Sequence, residues 1–187
     1  MERDDRFAEL IAPIKSRMFE TVWRILRHSQ DAEDALQVAL TTIWQQRSRI
    51  ECHPAPQALM LKICADAAID QYRRRRTDQG KLVTLEDSIP STRPPPMDAA
   101  IGQETLKIMI EAISRLSPNQ ATAVAMRFIQ GESVAAIAAA LGCATETVRE
   151  HLARGRERLG RMLVRLNRRN VIPARSATAD LDSENKS

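Results

Sequence analysis

The chain has 187 residues, with 28 Lys and Arg against 24 Asp and Glu and a formal net charge of +4, so its basic excess is mild and any anion-binding face must be local. Three scattered cysteines argue against a disulfide framework, no apolar run approaches the length of a membrane span, and the charged opening MERDDRF leads us to expect no signal peptide. With aromatics at 3%, only 6 Gly, and Ala, Leu, Ile, Arg and Gln abundant, the composition predicts an all-α, cytoplasmic protein without membrane insertion.

Leu10, Ile11, Ile14, Met18, Val22 and Ile25 or Leu26 recur at helical intervals, predicting a helix from Phe7 to Leu26 with Pro13 in a first turn or at a kink. After the polar break HSQ a second helix is expected from Asp31, capped by Ser29 or Asp31. Leu36, Leu40, Ile43 and Arg47 form one stripe of it, and Asp34, Gln37, Thr41, Gln45 and Ser48 a polar one, with Trp44 on the border. The polar stripe is either a solvated back or, with Trp44 beside it, a docking surface.

Pro54 and Pro56 interrupt the pattern before a third helix, from about Gln57 to Tyr72, that runs into Arg73, Arg74, Arg75 and Arg76. A helix C-terminus attracts one or two cations through its dipole. Four in succession repel one another unless something anionic lies across them.

Residues 77–98 hold Gly80, Pro90 and the run Pro94-Pro95-Pro96 without sustained periodicity, which predicts a flexible linker stiffened near its end. About twenty extended residues reach up to roughly 70 Å, so the halves need not touch. Beyond the linker, Leu106, Ile110, Ile113 and Leu116 mark a helix over 101–116, and Ser117-Pro118 reads as the N-cap and first residue of the next. That helix carries Ala121, Val124, Ala125 and Phe128 and stops at Gly131. The expectation is two small helical domains, 1–76 and 99–169, followed by a disordered tail over 170–187.

The stretch from Gly131 to Leu159 carries Ala138, Gly142 and Val148 at the spacing of a helix-turn-helix, which makes the C-terminal half a four-helix domain. Ala138 permits close approach, Gly142 supplies the positive φ that ends the first helix, and Ile137, Leu141, Val148 and Leu152 form the seam. Ser133 and Thr145 are the expected N-caps. Thr145, Glu146, Thr147, Arg149, Glu150, His151 and Arg154 remain on the outer face, where such groups reach base edges and phosphates in a major groove. Arg156, Arg158, Arg161, Arg165, Arg168 and Arg169 continue the cationic series, which suits a polyanion.

No residue pattern supports catalysis or a cofactor. The sequence has no nucleophile elbow and no phosphate-cradling glycine loop, and Cys52-His53 has no second pair at metal-ligand spacing. The acidic group Asp31, Glu33 and Asp34 reads as the favourable first turn of a helix.

Taken together, DAEDALQVALTTIW at 31–44, LKICADAAIDQYRRRR at 61–76 and the segment 116–159 resemble, in that order, the extracytoplasmic-function class of bacterial sigma factors. The resemblance implies that Asp34, Gln37, Thr41 and Trp44 meet the β′ clamp helices of core RNA polymerase and that the C-terminal domain sits on the β flap. It also implies that Asp66, Asp70, Gln71 and Arg73 to Arg76 lie near the melted minus-ten strand, that Thr145 to Arg154 read the minus-thirty-five element, and that the linker threads toward the RNA exit path. An anti-sigma factor is a further implied partner. The chain departs from the family at Leu59, where an aromatic is common, at Ala65-Asp66, where Arg-Asn is usual, and at Glu150-His151, where Ser-Arg is frequent. An anionic Asp66 facing DNA is unfavourable unless it accepts from a cytosine amino group or an adjacent Arg, whereas Glu150 suits cytosine N4 and predicts an unusual upstream element.

Two other readings fit parts of the chain. TVREHL followed by RLG also suits a LuxR-type helix-turn-helix regulator, which would carry a sensory domain with alternating β-strand patterns in its first half. A sigma-like adaptor that sequesters an anti-sigma factor through the same surfaces is the second.

Overall fold

The structure, a computed structural model, describes residues 2–79, 106 and 108–171, and every regular element among them is helical. Helix α1 spans Glu2–Ile11 and gives way to a 3-10 turn over Ala12–Ile14, after which α2 runs over Lys15–Leu26. Pro13 thus divides the expected first helix in two, because proline has no N–H to continue the ladder. Arg27 ends α2 in the left-handed conformation, φ 54°, with its N–H bonded to Trp23 O at 2.9 Å.

Helix α3, Ser29–Gln45, begins two residues earlier than expected and is capped by neither Ser29 nor Asp31. His28 is the N-cap, its Nδ1 accepting from the Asp31 N–H at 3.3 Å. The core stripe also differs from the expected one: Ala32, Ala35, Ala39 and Ile43 are buried, while Leu40 is 41% exposed. Alanines let helices approach closely, so the small stripe faces the packed side and the leucine is left outside.

After the short α4, Arg47–Glu51, comes α5, Pro56–Gln79, the axis of the molecule. From Ala58 to Leu61 every residue is buried, as are Ile63 to Ala65, Ala68 and Ile69. A helix that is apolar nearly all round must be enclosed on several sides. Helices α2 and α3 enclose it from the N-terminal half. The expected linker start, Thr77–Gln79, is the last turn of α5, and the rest of the linker lies outside the described residues.

The C-terminal half contains α6 over 108–114, α7 Pro118–Phe128, α8 Val134–Leu141 and α9 Thr145–Val171. Ser117 and Pro118 take the expected N-cap and first helical positions of α7, although the serine side chain makes no capping bond. Asn170 and Val171 still belong to α9, and the expected tail beyond them lies outside the described residues.

Although the linker's length permits separation, the halves are packed together. Helices α7 and α8 lie against α5, and the buried side chains of both halves form one continuous cluster. Domains of this size bury only about 60% of their unfolded surface alone, so each gains apolar burial from the other.

Candidate nucleic-acid and polymerase interface

The helix-turn-helix is built by local rules. Ser133 Oγ accepts from the Ala136 N–H at 3.1 Å and caps α8. Gly142 then takes φ +66°, and its N–H and that of Cys143 bond back to Ala139 O and Ala138 O at 3.1 Å. A residue with a Cβ is strained there, so the glycine sets the angle at which α9 leaves. Of the expected seam, Ile137, Val148 and Leu152 are buried, with Ala138 beside them, whereas Leu141 is half-buried and packs against the cluster from its edge. Thr145 is the first residue of α9 and not its cap; Ala144 precedes the helix, with its carbonyl accepting from the Val148 N–H at 3.2 Å.

A closer approach occurs one turn beyond the motif. Gly155 is buried, and α9 crosses α7 there with no room for a side chain.

On the outer face Thr145, Glu146, Arg149, Glu150 and Arg154 are exposed, while Thr147 and His151 are half-buried. His151 Nδ1 is buried and has no hydrogen-bond partner among the described residues. Arg149 pairs with Glu146, Arg154 with Glu150, and Arg161 with Glu157, all within one turn of α9. Exposed pairs of this kind contribute about 0–1 kcal/mol each, so they hold the guanidinium groups without preventing exchange for phosphate. Arg156 is exposed without a partner among the described residues, and Arg158 donates to Gln120 Oε1 at 3.3 Å. The side chains of Arg165, Arg168 and Arg169 lie outside the described residues.

The C-terminal end of α5 has a different character, because the anions that its arginines require come from the protein itself. Arg73 donates from Nε to Ser114 O at 2.9 Å and from Nη2 to Leu116 O at 3.0 Å, so it caps the carbonyl end of α6. Arg75 reaches Asp31 Oδ2 at 2.7 Å, with Gln71 Nε2 on the other carboxylate oxygen at 3.5 Å, and Arg76 lies 3.4 Å from Glu111. Arg74 alone of the four is exposed without a partner among the described residues. Tyr72 beside them has its hydroxyl pKa raised, first by burial and then by the charge of Glu111.

Asp66 faces the other half of the molecule. Lys62 Nζ donates to its Oδ2 at 2.7 Å, and Thr122 Oγ1, on α7, donates to its Oδ1 at 2.6 Å. The carboxylate is therefore satisfied by the protein, by a lysine and a threonine in place of an arginine or a base. Gln130 Nε2 donates to Leu61 O at 2.9 Å, Arg17 meets both Glu132 and Gln130 O, and Arg24 Nη1 reaches Ile129 O at 3.0 Å. Thr122, Gln130 and Glu132 and the two α2 arginines were not singled out by sequence reasoning. No local pattern marks them, since their partners are remote in the chain.

On α3, Asp34, Gln37, Thr41 and Trp44 are all exposed, and the structure adds Val38, 57% exposed, and Leu40 to the same helix surface. Trp44 is 51% exposed, with its ring edge-on to Phe7 at 5.9 Å and the Arg47 guanidinium 4.9 Å from its centroid. An anchored aromatic with free area, beside apolar and polar neighbours, is the usual composition of a protein-docking surface.

The family model for sigma-70 region 4 matches residues 106–159, which include the whole helix-turn-helix. The ECF RNA polymerase sigma factor SigM of Mycobacterium tuberculosis is 33% identical over 141 residues, covering 75% of this chain and 68% of that protein. The chain belongs to the ECF sigma factor family. The ECF sigma factor SigW of Bacillus subtilis is 22% identical to it over 167 residues, covering 85% of this chain and 89% of that protein. The same fold occurs in the sigma factor RpoE of Bartonella quintana, solved in complex with the anti-sigma factor NepR. That likeness has a TM-score of 0.53 at 22% identity and covers 84% of this sigma factor and 96% of that chain. CnrH, solved with the cytosolic domain of CnrY, gives a TM-score of 0.52 at 17% identity over 86% of this sigma factor and 88% of that chain. The helical first half of this sigma factor leaves no place for the sensory domain of a LuxR-type regulator among the described residues. No described helix is long and apolar enough to cross a membrane.

Proposed function

We propose that this sigma factor binds core RNA polymerase through α3, recognises the upstream promoter element through α9, and engages the downstream element through the end of α5. The observation that carries this reading is the exposed outer face of α9, from Thr145 to Arg154, presented by the left-handed turn at Gly142 on a buried apolar seam. In this reading Asp34, Gln37, Thr41 and Trp44 meet the β′ clamp helices, the C-terminal half sits on the β flap, and Asp66, Gln71 and Arg73 to Arg76 approach the melted strand. Glu150 accepts from a cytosine amino group once Arg154 has moved to phosphate. The protein itself carries out no reaction, acts in the cytoplasm and is held in check by an anti-sigma factor, the class of partner named for the two solved relatives.

Run-off transcription by core polymerase on genomic fragments, with and without the protein, tests the reading. The expected result is new initiation sites that depend on the protein. Tight core binding with no added initiation would leave only the adaptor function.

A further inference from the structure

A cleft of about 270 Å³ opens at the end of α5, lined by Arg73, Arg76 and Thr77 of that helix and by Ser114 and Arg115 at the end of α6. Three guanidinium groups thus face one hollow, an arrangement that is costly unless anions stand among them. The protein supplies two. Glu111 Oε1 accepts from Arg115 Nη2 at 2.6 Å and lies 3.4 Å from Arg76, and Asp70 Oδ1 accepts from Arg73 Nη1 at 3.2 Å. Two carboxylates against three guanidinium groups leave one cation in excess, and Asp70 is 60% exposed, so water weakens its share.

Hydrogen-bond donors are in surplus as well. Arg115 gives one N–H to Glu111, and Arg76 meets the same carboxylate only at long range, so both keep donors for a second acceptor. Arg73, whose Nε and Nη2 serve Ser114 O and Leu116 O, contributes its charge from a fixed position. The hydroxyl protons are spent, with Thr77 Oγ1 donating to Arg73 O at 3.1 Å and Ser114 Oγ to Glu111 O at 2.8 Å. Recognition therefore falls to arginine, whose planar fork matches the oxygens of phosphate groups.

Size narrows the ligand further. The cleft has room for several waters at about 30 Å³ each, more than a single phosphate group needs. It lies below the range of about 300–1,000 Å³ that encloses a whole drug-sized molecule.

From these features we propose that the cleft between α5 and α6 binds a diphosphate, either inorganic or carried by a nucleotide whose base and sugar stay in solvent. Arg73 and Arg76 are also assigned above to the melted strand, so diphosphate and single-stranded DNA exclude each other. That consequence, unlike the site itself, rests on the sigma-factor reading.

Isothermal titration calorimetry of the full chain with sodium pyrophosphate, at fixed ionic strength, tests the site. The expected result is saturable binding, weaker with inorganic phosphate. Arg76→Gln and Arg115→Gln should each lower affinity about tenfold, the effect of losing a charge-assisted bond. Arg74→Gln removes the same charge from an exposed side chain outside the cleft and should leave affinity unchanged. Arg115→Lys keeps the charge without the fork; binding between that of wild type and Arg115→Gln separates recognition from a folding defect. ADP that binds as tightly as pyrophosphate identifies a nucleotide as the source of the diphosphate, and weaker ADP identifies the inorganic anion. Absence of saturable heat, or an equal loss in Arg74→Gln, would overturn the proposal. A single-stranded oligonucleotide that still binds at saturating pyrophosphate would instead overturn the strand contact at α5 and leave the diphosphate site standing.

Discussion

Gly155 on α9 and Val124 on α7 meet so closely that a Cβ built on the glycine would stand 2.7 Å from Val124 Cγ2. The contact locks the long recognition helix onto the helix that lies against α5. Helix propensity alone favours Gly155→Ala by about 1 kcal/mol. Overpacking opposes it by about 1–3 kcal/mol. The net expectation is a loss of about 1 kcal/mol in chemical denaturation, recovered in part when Val124→Ala is added. Simple additivity of the two substitutions would show that the helices do not touch there.

Cys64 is buried, and burial pushes its thiol from 9.0 up to about 12. The folded state therefore binds this proton more tightly than the unfolded chain, so the thiol's contribution to stability is complete below pH 9 and is lost as pH rises toward 12. Denaturation midpoints of the wild type should fall more steeply over that window than those of Cys64→Val. A thiol reagent near neutral pH should modify Cys52 and Cys143 in the native protein and reach Cys64 only on unfolding.

Arg149 and Arg154 are exposed and paired only with glutamates on their own helix. Replacing both by Ala should change folding stability by under about 1 kcal/mol. Binding of upstream-element duplex should weaken, and the slope of log affinity against log salt should flatten by about 0.9 for each phosphate contact removed. Filter binding or fluorescence anisotropy over a salt series reads both quantities; an unchanged slope would mean these arginines do not meet phosphates.

Trp44 has half its surface free, so Trp44→Ala removes little from the core. Affinity for core polymerase should fall at least tenfold, as for an aromatic anchor at an interface centre, with a stability loss of no more than about 1.5 kcal/mol. Surface plasmon resonance with core polymerase, alongside thermal unfolding, separates the two effects.

Much of this protein is determined by interactions a few residues long. Apolar periodicity placed the helices, Ser133 with Ala136 set the start of α8, and glycine at 142 set its end, because caps and left-handed turns depend only on neighbours in the chain. For the same reason the stripe of Asp34, Gln37, Thr41 and Trp44 was legible as an exposed face. Tertiary structure alone decided which side of α3 is buried and that Gly155 is a contact point. It also decided the fate of the charges on α5: Asp66 and Thr122 stand 56 residues apart in sequence, and Arg73 and Leu116 stand 43 apart. A sequence states that four arginines need anions; only the packing of two halves across a long connection decides whether those anions belong to DNA or to the protein itself.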